Sequence, residues 1–554
     1  MSTAPPPASR HGDRPRWWQT RGFVAAMALL ALLPLVWPAI PPLVDLPGHM
    51  GRYRVQLSIG DQPWLAHWYD FRWQLIGNLG VDLAIEPMAR VFGLELGTKL
   101  VVMAIPALTV TGLLSIAREV HGRIPATALF ALPLAYSYPF QFGFVNFALS
   151  VALALNLFAW WLRLARQGRL RFRAAAFVPL SVGLWVCHTV GWGMLAVLAF
   201  SAEMIRQHDR AFGVTARGTR VPWRRDDLRR WGIAWVRAGL GVAPLALPLL
   251  LMALWRSGDH VGGRTFDWFD WRAKFQWILM IFRDRWMAFD VASLAVLFLI
   301  LFRGFRDPSI EYSRQLGLSA LFLLTVFLVL PRVVFGSAYA DMRLAPFAAA
   351  IAVVAIRPRR GLSSRGASTL AVAGLAFVVV RMGAATVSYA MFADSYGTQL
   401  AALDRLPQGA RLVSFVGETC HNQWTMSRLE HLPAIALERR LAYTNDQWSM
   451  AGAQLLTTRY VAARRYAHDP SQIVTSVQCP REYWRPISRS LARFPRDAFD
   501  YVWLIRVPDY DPALERGLIP LWRHGRGTGS SALFRVDHSV SAPEMPGGLL
   551  PPHA

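Results

Sequence analysis

AAAFVPLSVGLWVCHTVGWGMLAVLAFSAEMI, residues 174–205, is a run of 32 residues whose only members of the His, Asp, Glu, Lys and Arg set are His188 and Glu203. A helix rises 1.5 Å per residue and needs ~20 residues to cross a bilayer, so one ordinary span cannot use the whole run. Its flanks decide the reading. RLARQGRLRFR (163–173) comes before it with five arginines and no acid, and RQHDRAFGVTARGTRVPWRRDDLRR (206–230) follows, again strongly basic. Cytoplasmic loops retain positive charge, so both flanks are expected inside and the run is expected to cross twice as a pair of short helices. CHTVGW (187–192) then falls at the outer face, and His188 with it.

Extending the same rule outward predicts about eleven spans with the N-terminus inside. Residues 1–22 read as a cytoplasmic tail. A first span runs from Phe23 to Val44 and opens into an outside loop, 45–96. A second, Leu100 to Ile116, returns to REVHGR (118–123); a third leaves near Pro125, turns at YPFQFGF (138–144), and a fourth returns through Trp161. After the paired run come spans at 233–255, 291–302 and 317–330, an outside turn RVVFGSAYADMR (332–343), a return to RPRRGLSSR, and an exit at 369–391. The membrane domain is thus expected over 23–391, and 392–554 should form an extracytoplasmic α/β domain. Its strand-like stretches are ARLVSFVG (410–417), YVWLIRVP (501–508) and SALFRVD (531–537).

Composition agrees. The 554 residues are 54% hydrophobic and 17% charged, with a mean hydropathy of +0.29. That balance suits a polytopic α-helical membrane protein and argues against a wholly soluble one. The net charge of +24 is almost all arginine, since Lys99 and Lys274 are the only lysines. Because the arginines sit in short loops between apolar runs, nucleic acid is not expected as a partner. Cys187 lies in an apolar run, where burial explains it. In an oxidising compartment Cys420 and Cys479 either form a bridge or remain two buried thiols.

Ionisable groups near a membrane are costly and usually line a watery cavity. VDLPGHMGRYR (44–54) places Asp45, His49, Arg52 and Arg54 just past the first span; His188, Asp259, His260, Arg264, Asp341 and Arg343 are expected on the same face. A carboxylate can act as general base towards a hydroxyl, and arginines can hold phosphate bidentately. Together these suit group transfer from a lipid-linked phosphate. QPWLAHWYDFRWQL (62–75) and VDLAIEPMARVFGLELG (81–97) read as helices lying at the interface.

DLPGHMGR (45–52), GFVNFALSVALAL (143–155), CHTVGWG (187–193) and YADMRLAP (339–346), set in this architecture, resemble the GT-C class of integral-membrane glycosyltransferases and a group of bacterial multi-pass proteins built like them. The resemblance implies an acidic catalytic residue in the first outside loop and a polyprenyl-phosphate sugar donor. It makes Asp45 the candidate base or substrate-orienting carboxylate, with His49 and Arg52 one and two helical turns further along; the shared outer face adds His188 as a catalytic companion, and Arg52, Arg54, Asp341, Arg343 and Asn146 are the candidate substrate-binding groups. Partners would be the lipid-linked sugar, membrane lipids and an envelope glycan, lipid or protein acceptor, at a bacterial inner membrane. Many members of the class carry an adjacent acidic pair, whereas Leu46 and Pro47 follow Asp45 and the next carboxylate is Asp61. No metal ligand or certain cofactor is therefore assigned, although a divalent cation is left open.

Plainer roles compete. Asp45 can simply end a helix before Pro47 and Gly48, and Asn146 can hydrogen-bond between helices. GRGTGSS (525–531) lacks the lysine of a phosphate loop, and HNQWTMSRLEH (421–431) spaces its histidines for no helical metal motif. A lipid-linked-sugar transporter or a non-catalytic scaffold are the alternatives to a transferase.

Overall fold

In a computed structural model the chain is described over residues 15–213, 225–256, 264–334, 337–359, 363–420, 423–449, 454–480 and 484–541. Asp259 and His260 lie outside the described residues. The chain divides into two compact units: Met1–Trp37 with Leu75–Ala84 and Lys99–Ser388, and Pro38–Gln74 with Ile85–Thr98 and Tyr389–Ala554.

Among the described residues, five helices are long and apolar enough to cross a membrane: Leu94–His121, Val145–Arg166, Leu170–Cys187, Met287–Arg306 and Ser364–Arg405. A pair bent by 62°, Asp226–Leu245 with Leu247–Leu254, makes a sixth if counted as one span. Three shorter apolar helices, Arg21–Leu30, Arg314–Val329 and Ala345–Val354, complete the set. The protein is therefore a multi-pass helical membrane protein with a C-terminal sheet region.

The 174–205 run breaks at His188. Leu170–Cys187 and Thr189–Phe212 are separate helices, and His188 between them is extended (φ −169°, ψ 133°). Both helices exceed the apolar run because the basic flanks continue the winding. Glu203 is buried in the second helix and neutralised, with Arg173 at 2.7 Å and Arg206 also bonded to it.

Two expected spans take other forms. The first helix stops at Leu30, a short turn of helix covers Leu33–Val36, and the chain is non-helical from Trp37 to Asp45. Pro38, Pro41 and Pro42 supply no N–H to a helical ladder and bias their predecessors to extended backbone, which ends the winding early. The expected third span is an eleven-residue, fully buried 3₁₀ run, Ala126–Tyr136, with Pro133 inside it. At ~2 Å of rise per residue, 3₁₀ winding covers more length than an α-helix would.

The second unit is built on a six-stranded mixed sheet in the order Arg485–Pro486, Ile473–Thr475, Leu412–Gly417, Tyr501–Val507, Ser530–Val536, Leu518–His524. The first three neighbouring pairs are parallel and the last two antiparallel. All three strand-like sequence stretches are strands. Cys420 and Cys479 are joined by a disulfide across a separation of 59 residues.

Much of the first loop also belongs to this unit. The helix Leu46–Ser58 packs on the helix Ala434–Arg440, and Tyr69–Phe71 pairs antiparallel with Leu456–Thr458. Leu65, Trp68 and Tyr69 join the apolar core of the sheet. Residues 62–75 are thus not one interfacial helix: helix covers only Pro63–Trp68, and the aromatic residues divide between core and surface, with Trp64 and Trp73 exposed. Gly80–Phe92 is a helix showing Leu83, Val91 and Phe92 on its exposed side.

Candidate functional site

In the second unit, Asp45 immediately precedes the helix Leu46–Ser58, whose first turn contains Pro47. Proline is tolerated there because early helical N–H groups have no intrahelical acceptor. The helix places His49 one turn and Arg52 two turns beyond Asp45. Gly48 and Gly51, three apart, share one face, and the segment Asn445–Trp448 docks on it. A methyl group at Gly48 would meet the Trp448 ring at 2.7 Å; one at Gly51 would meet Gln447 Nε2 at 2.8 Å and the Ala434 carbonyl oxygen at 3.1 Å. Trp448 consequently packs against both His49 (ring centroids 5.0 Å apart) and His431 (4.4 Å).

The arginines of this helix have named partners. Arg52 donates to Gln454 Oε1 at 2.7 Å and lies over the Tyr53 ring, while Arg54 donates to the Glu438 carboxylate at 2.8 Å and to its backbone carbonyl at 2.9 Å.

The C-terminal part of the same unit contributes further buried carboxyl groups, one of which feels the charge of Asp45. Burial, followed by the charges of Glu418, Asp45 and Asp469, pushes the Glu430 carboxyl well above the usual carboxylate range, against one hydrogen bond with Ser427. Next to it, His431 Nε2 stands 3.9 Å from Asp469 Oδ1, and burial lowers its imidazole. Asp446 is fully buried and pushed up to about 7, chiefly by that burial, although its Oδ2 accepts from the Ala434 N–H at 2.8 Å. Glu430, Trp448 and Asp446 were not singled out from the sequence. The local signal for them is RLEHLP (428–433), a carboxylate beside a histidine.

The first unit holds the other candidates. Asn146 ties the turn 78–82 down: its Nδ2 donates to Asn78 O at 2.8 Å and Asp82 Oδ2 at 2.9 Å, and its Oδ1 accepts from Val81 N–H at 2.6 Å. The same turn reaches the break at His188, where Leu79 N–H donates to Val186 O (2.8 Å) and Thr189 N–H to Gly77 O (3.0 Å). His188 Nδ1 accepts from Val190 N–H, capping the helix that follows. Its Nε2 lies 3.5 Å from Arg343 Nη1, and the Arg343 guanidinium rests over Phe144 (4.4 Å) and Phe147 (5.8 Å).

Asp341 is a buried ion-pair partner. Lys274 Nζ donates to its Oδ2 at 3.0 Å and to the carbonyls of Phe327 and Leu330 at 2.8 Å each. Arg283 donates to Tyr138 Oη at 2.8 Å, and Arg332 lies over Trp277 and Tyr339. This cluster is cationic and aromatic, which suits an anionic group with an apolar tail. Asp45, His49, Arg52 and Arg54 thus belong to the second unit, and Asn146, His188, Asp341 and Arg343 to the first. Among the described residues, no three His, Cys, Asp or Glu side chains are grouped to hold a metal ion.

No family model matches this sequence, and no curated protein is significantly similar to it. Among solved structures, the chain is similar to ArnT from Cupriavidus metallidurans bound to undecaprenyl phosphate. The identity is 13% and the TM-score 0.46, over 94% of this chain and 99% of that one. The apo state of the same ArnT gives 12% identity and the same TM-score and coverage.

Proposed function

We propose that the protein is a GT-C-type membrane glycosyltransferase, moving a sugar from a polyprenyl-phosphate donor to an envelope glycan, lipid or protein at the outer face of a bacterial inner membrane. In this reading the N-terminus is cytoplasmic and residues 392–554 are extracytoplasmic. The observation that carries it is the setting of Asp45, which opens the helix Leu46–Ser58 with His49 packed on Trp448 and Arg52 bonded to Gln454, so that a carboxylate, an imidazole and a guanidinium follow one another at helical spacing.

The Asp45 carboxylate takes the proton of the acceptor hydroxyl as its oxygen bonds to the anomeric carbon. The bond from that carbon to the phosphate oxygen breaks, and polyprenyl phosphate leaves with the bonding pair. The donor phosphate calls for charge-assisted hydrogen bonds, for which Arg52 is the candidate in the second unit and Arg343 the candidate in the first. His49 and His188 orient the reactants, and Arg54, Asp341 and Asn146 position the chain around them.

The test is complementation of a deletion strain with Asp45→Asn, checked for insertion and folding, together with mass spectrometry of the glycan or lipid acceptor. Loss of a positioned general base costs on the order of 10²–10⁴ in rate, so the envelope phenotype should not be restored. Full restoration by both Asp45→Asn and Arg343→Ala would remove the site assignment.

A further inference from the structure

Three helices of the first unit, Thr189–Phe212, Arg225–Val242 and Arg314–Val329, border a cavity of about 310 Å³ that none of the proposed chemistry uses. Trp231, Trp235, Leu318 and Phe322 line its apolar side, and His208 and Arg314 its polar side. Arg314 is the first residue of its helix, and His208 stands just before the last turn of Thr189–Phe212. The two indoles stand 4.5 Å apart and are about two-fifths exposed, at 40% and 38%. They lie one turn apart in the middle of Arg225–Val242, following its charged first turns, and amphipathic indoles of this kind sit readily at the headgroup level of a bilayer.

The surroundings are positive on balance. Glu203 pairs with Arg173 and Arg206, and Asp209 stands 2.9 Å from Arg314 and 3.6 Å from His208, so the net positive charge here comes from the second arginine on Glu203 and from Arg210 on the same helix. On the adjoining helix Asp226 and Asp227 are matched by Arg229 and Arg230. Arg314 Nη2 also lies 3.3 Å from His208 Nδ1, so the guanidinium and imidazole are adjacent.

We propose that this cavity binds one anionic phospholipid of the surrounding membrane, with an acyl segment along Trp231, Trp235 and Phe322 and the phosphate against Arg314 and His208. The volume lies at the small end of the ligand-pocket range, ~300–1,000 Å³, which fits a chain segment better than a ring system. Charge complementarity selects an anionic headgroup over a zwitterionic one. The site is independent of the transferase reading and requires only that these helices meet the bilayer.

Native mass spectrometry of the full chain in non-ionic detergent, titrated with phosphatidylglycerol and with phosphatidylcholine of matched chains, tests it. One phosphatidylglycerol should be retained with about fivefold higher apparent affinity, the size expected for a basic residue at a membrane surface. Arg314→Gln should abolish that preference and Arg314→Lys should keep it. Leu318→Trp, which fills the cavity, should release both lipids without changing the thermal unfolding of the lipid-free protein. Equal retention of the two lipids by the unaltered protein would overturn the proposal, as would a preference that survives Arg314→Gln combined with His208→Gln. Unchanged binding in Leu318→Trp, or a retained mass matching a free fatty acid, would overturn it too.

Discussion

Around Asp45, carboxylates and imidazoles are held by short segments folded over a sheet, whereas around Arg343 a guanidinium rests on aromatic rings between apolar helices. In the first setting, groups of like charge raise one another's proton affinity. In the second, each buried charge is countered individually: Asp341 by Lys274, Asp290 by Arg381 at 2.7 Å, and Glu203 by two arginines. The two regions should therefore fail differently. Changes near Asp45 alter protonation and rate, and changes in the helical region leave a buried charge without its counterpart.

The largest stability effect is expected in the helical region. Lys274→Met removes the ammonium that neutralises Asp341 and that two backbone carbonyls also use. Breaking a buried pair by removing one partner costs on the order of 3–5 kcal/mol, because the other charge stays buried. Thermal unfolding should fall sharply, and Asp341→Asn added to Lys274→Met should recover part of the loss. If Lys274→Met alone unfolds like the unaltered protein, the pair does not hold this region together.

Asp446 offers the corresponding test in the sheet unit, with pH as the variable. Its carboxyl titrates near 7 when folded and near the ordinary ~3.9 when unfolded, so the folded state binds the extra proton. The stability of the neutral form is present below pH ~4, is lost as the pH rises towards 7, and stays lost above it. Unfolding temperature should thus decline between pH 5 and pH 8. Asp446→Asn can still accept from the Ala434 N–H and should flatten that decline, making the variant the more stable protein at pH 8.

How far these features were legible depended on whether they are local. The break at His188 could be read because charge on both flanks and the length of one run left no other solution. The strand at Leu412–Gly417 could be read from its near-continuous apolar run, as befits a central strand with parallel neighbours on both sides. Trp68 and Tyr69 could not be placed, because aromatic density looks the same in an interfacial helix and in a core reached by a long-range strand pairing. Glu430 was hidden for the same reason, since it approaches Asp45 from 385 positions away. Lys274, one of only two lysines in an arginine-rich chain, did carry a compositional signal that hydropathy reading passes over.

The glycines of DLPGHMGR give the smallest and most discriminating test. Both lie on the face that receives Asn445–Trp448, but they meet different obstacles. A methyl at Gly48 meets the Trp448 ring at 2.7 and 2.9 Å, and that ring is held against both His49 and His431; one at Gly51 meets first the end of the Gln447 side chain at 2.8 Å and then Ala434 at 3.0 and 3.1 Å, contacts that small shifts relieve. Overpacking of this kind costs about 1–3 kcal/mol, and Ala is otherwise the better helix former by ~1 kcal/mol, so Gly48→Ala should be destabilising by about 1–2 kcal/mol and Gly51→Ala nearer neutral. The displacement also tilts the helix that positions Asp45 and His49 within its unit. Gly48→Ala should consequently lose the proposed transferase activity out of proportion to its unfolding shift, while Gly51→Ala keeps most of it. Equal effects at the two positions would mean that the motif is retained for helix flexibility and not for docking the Trp448 segment.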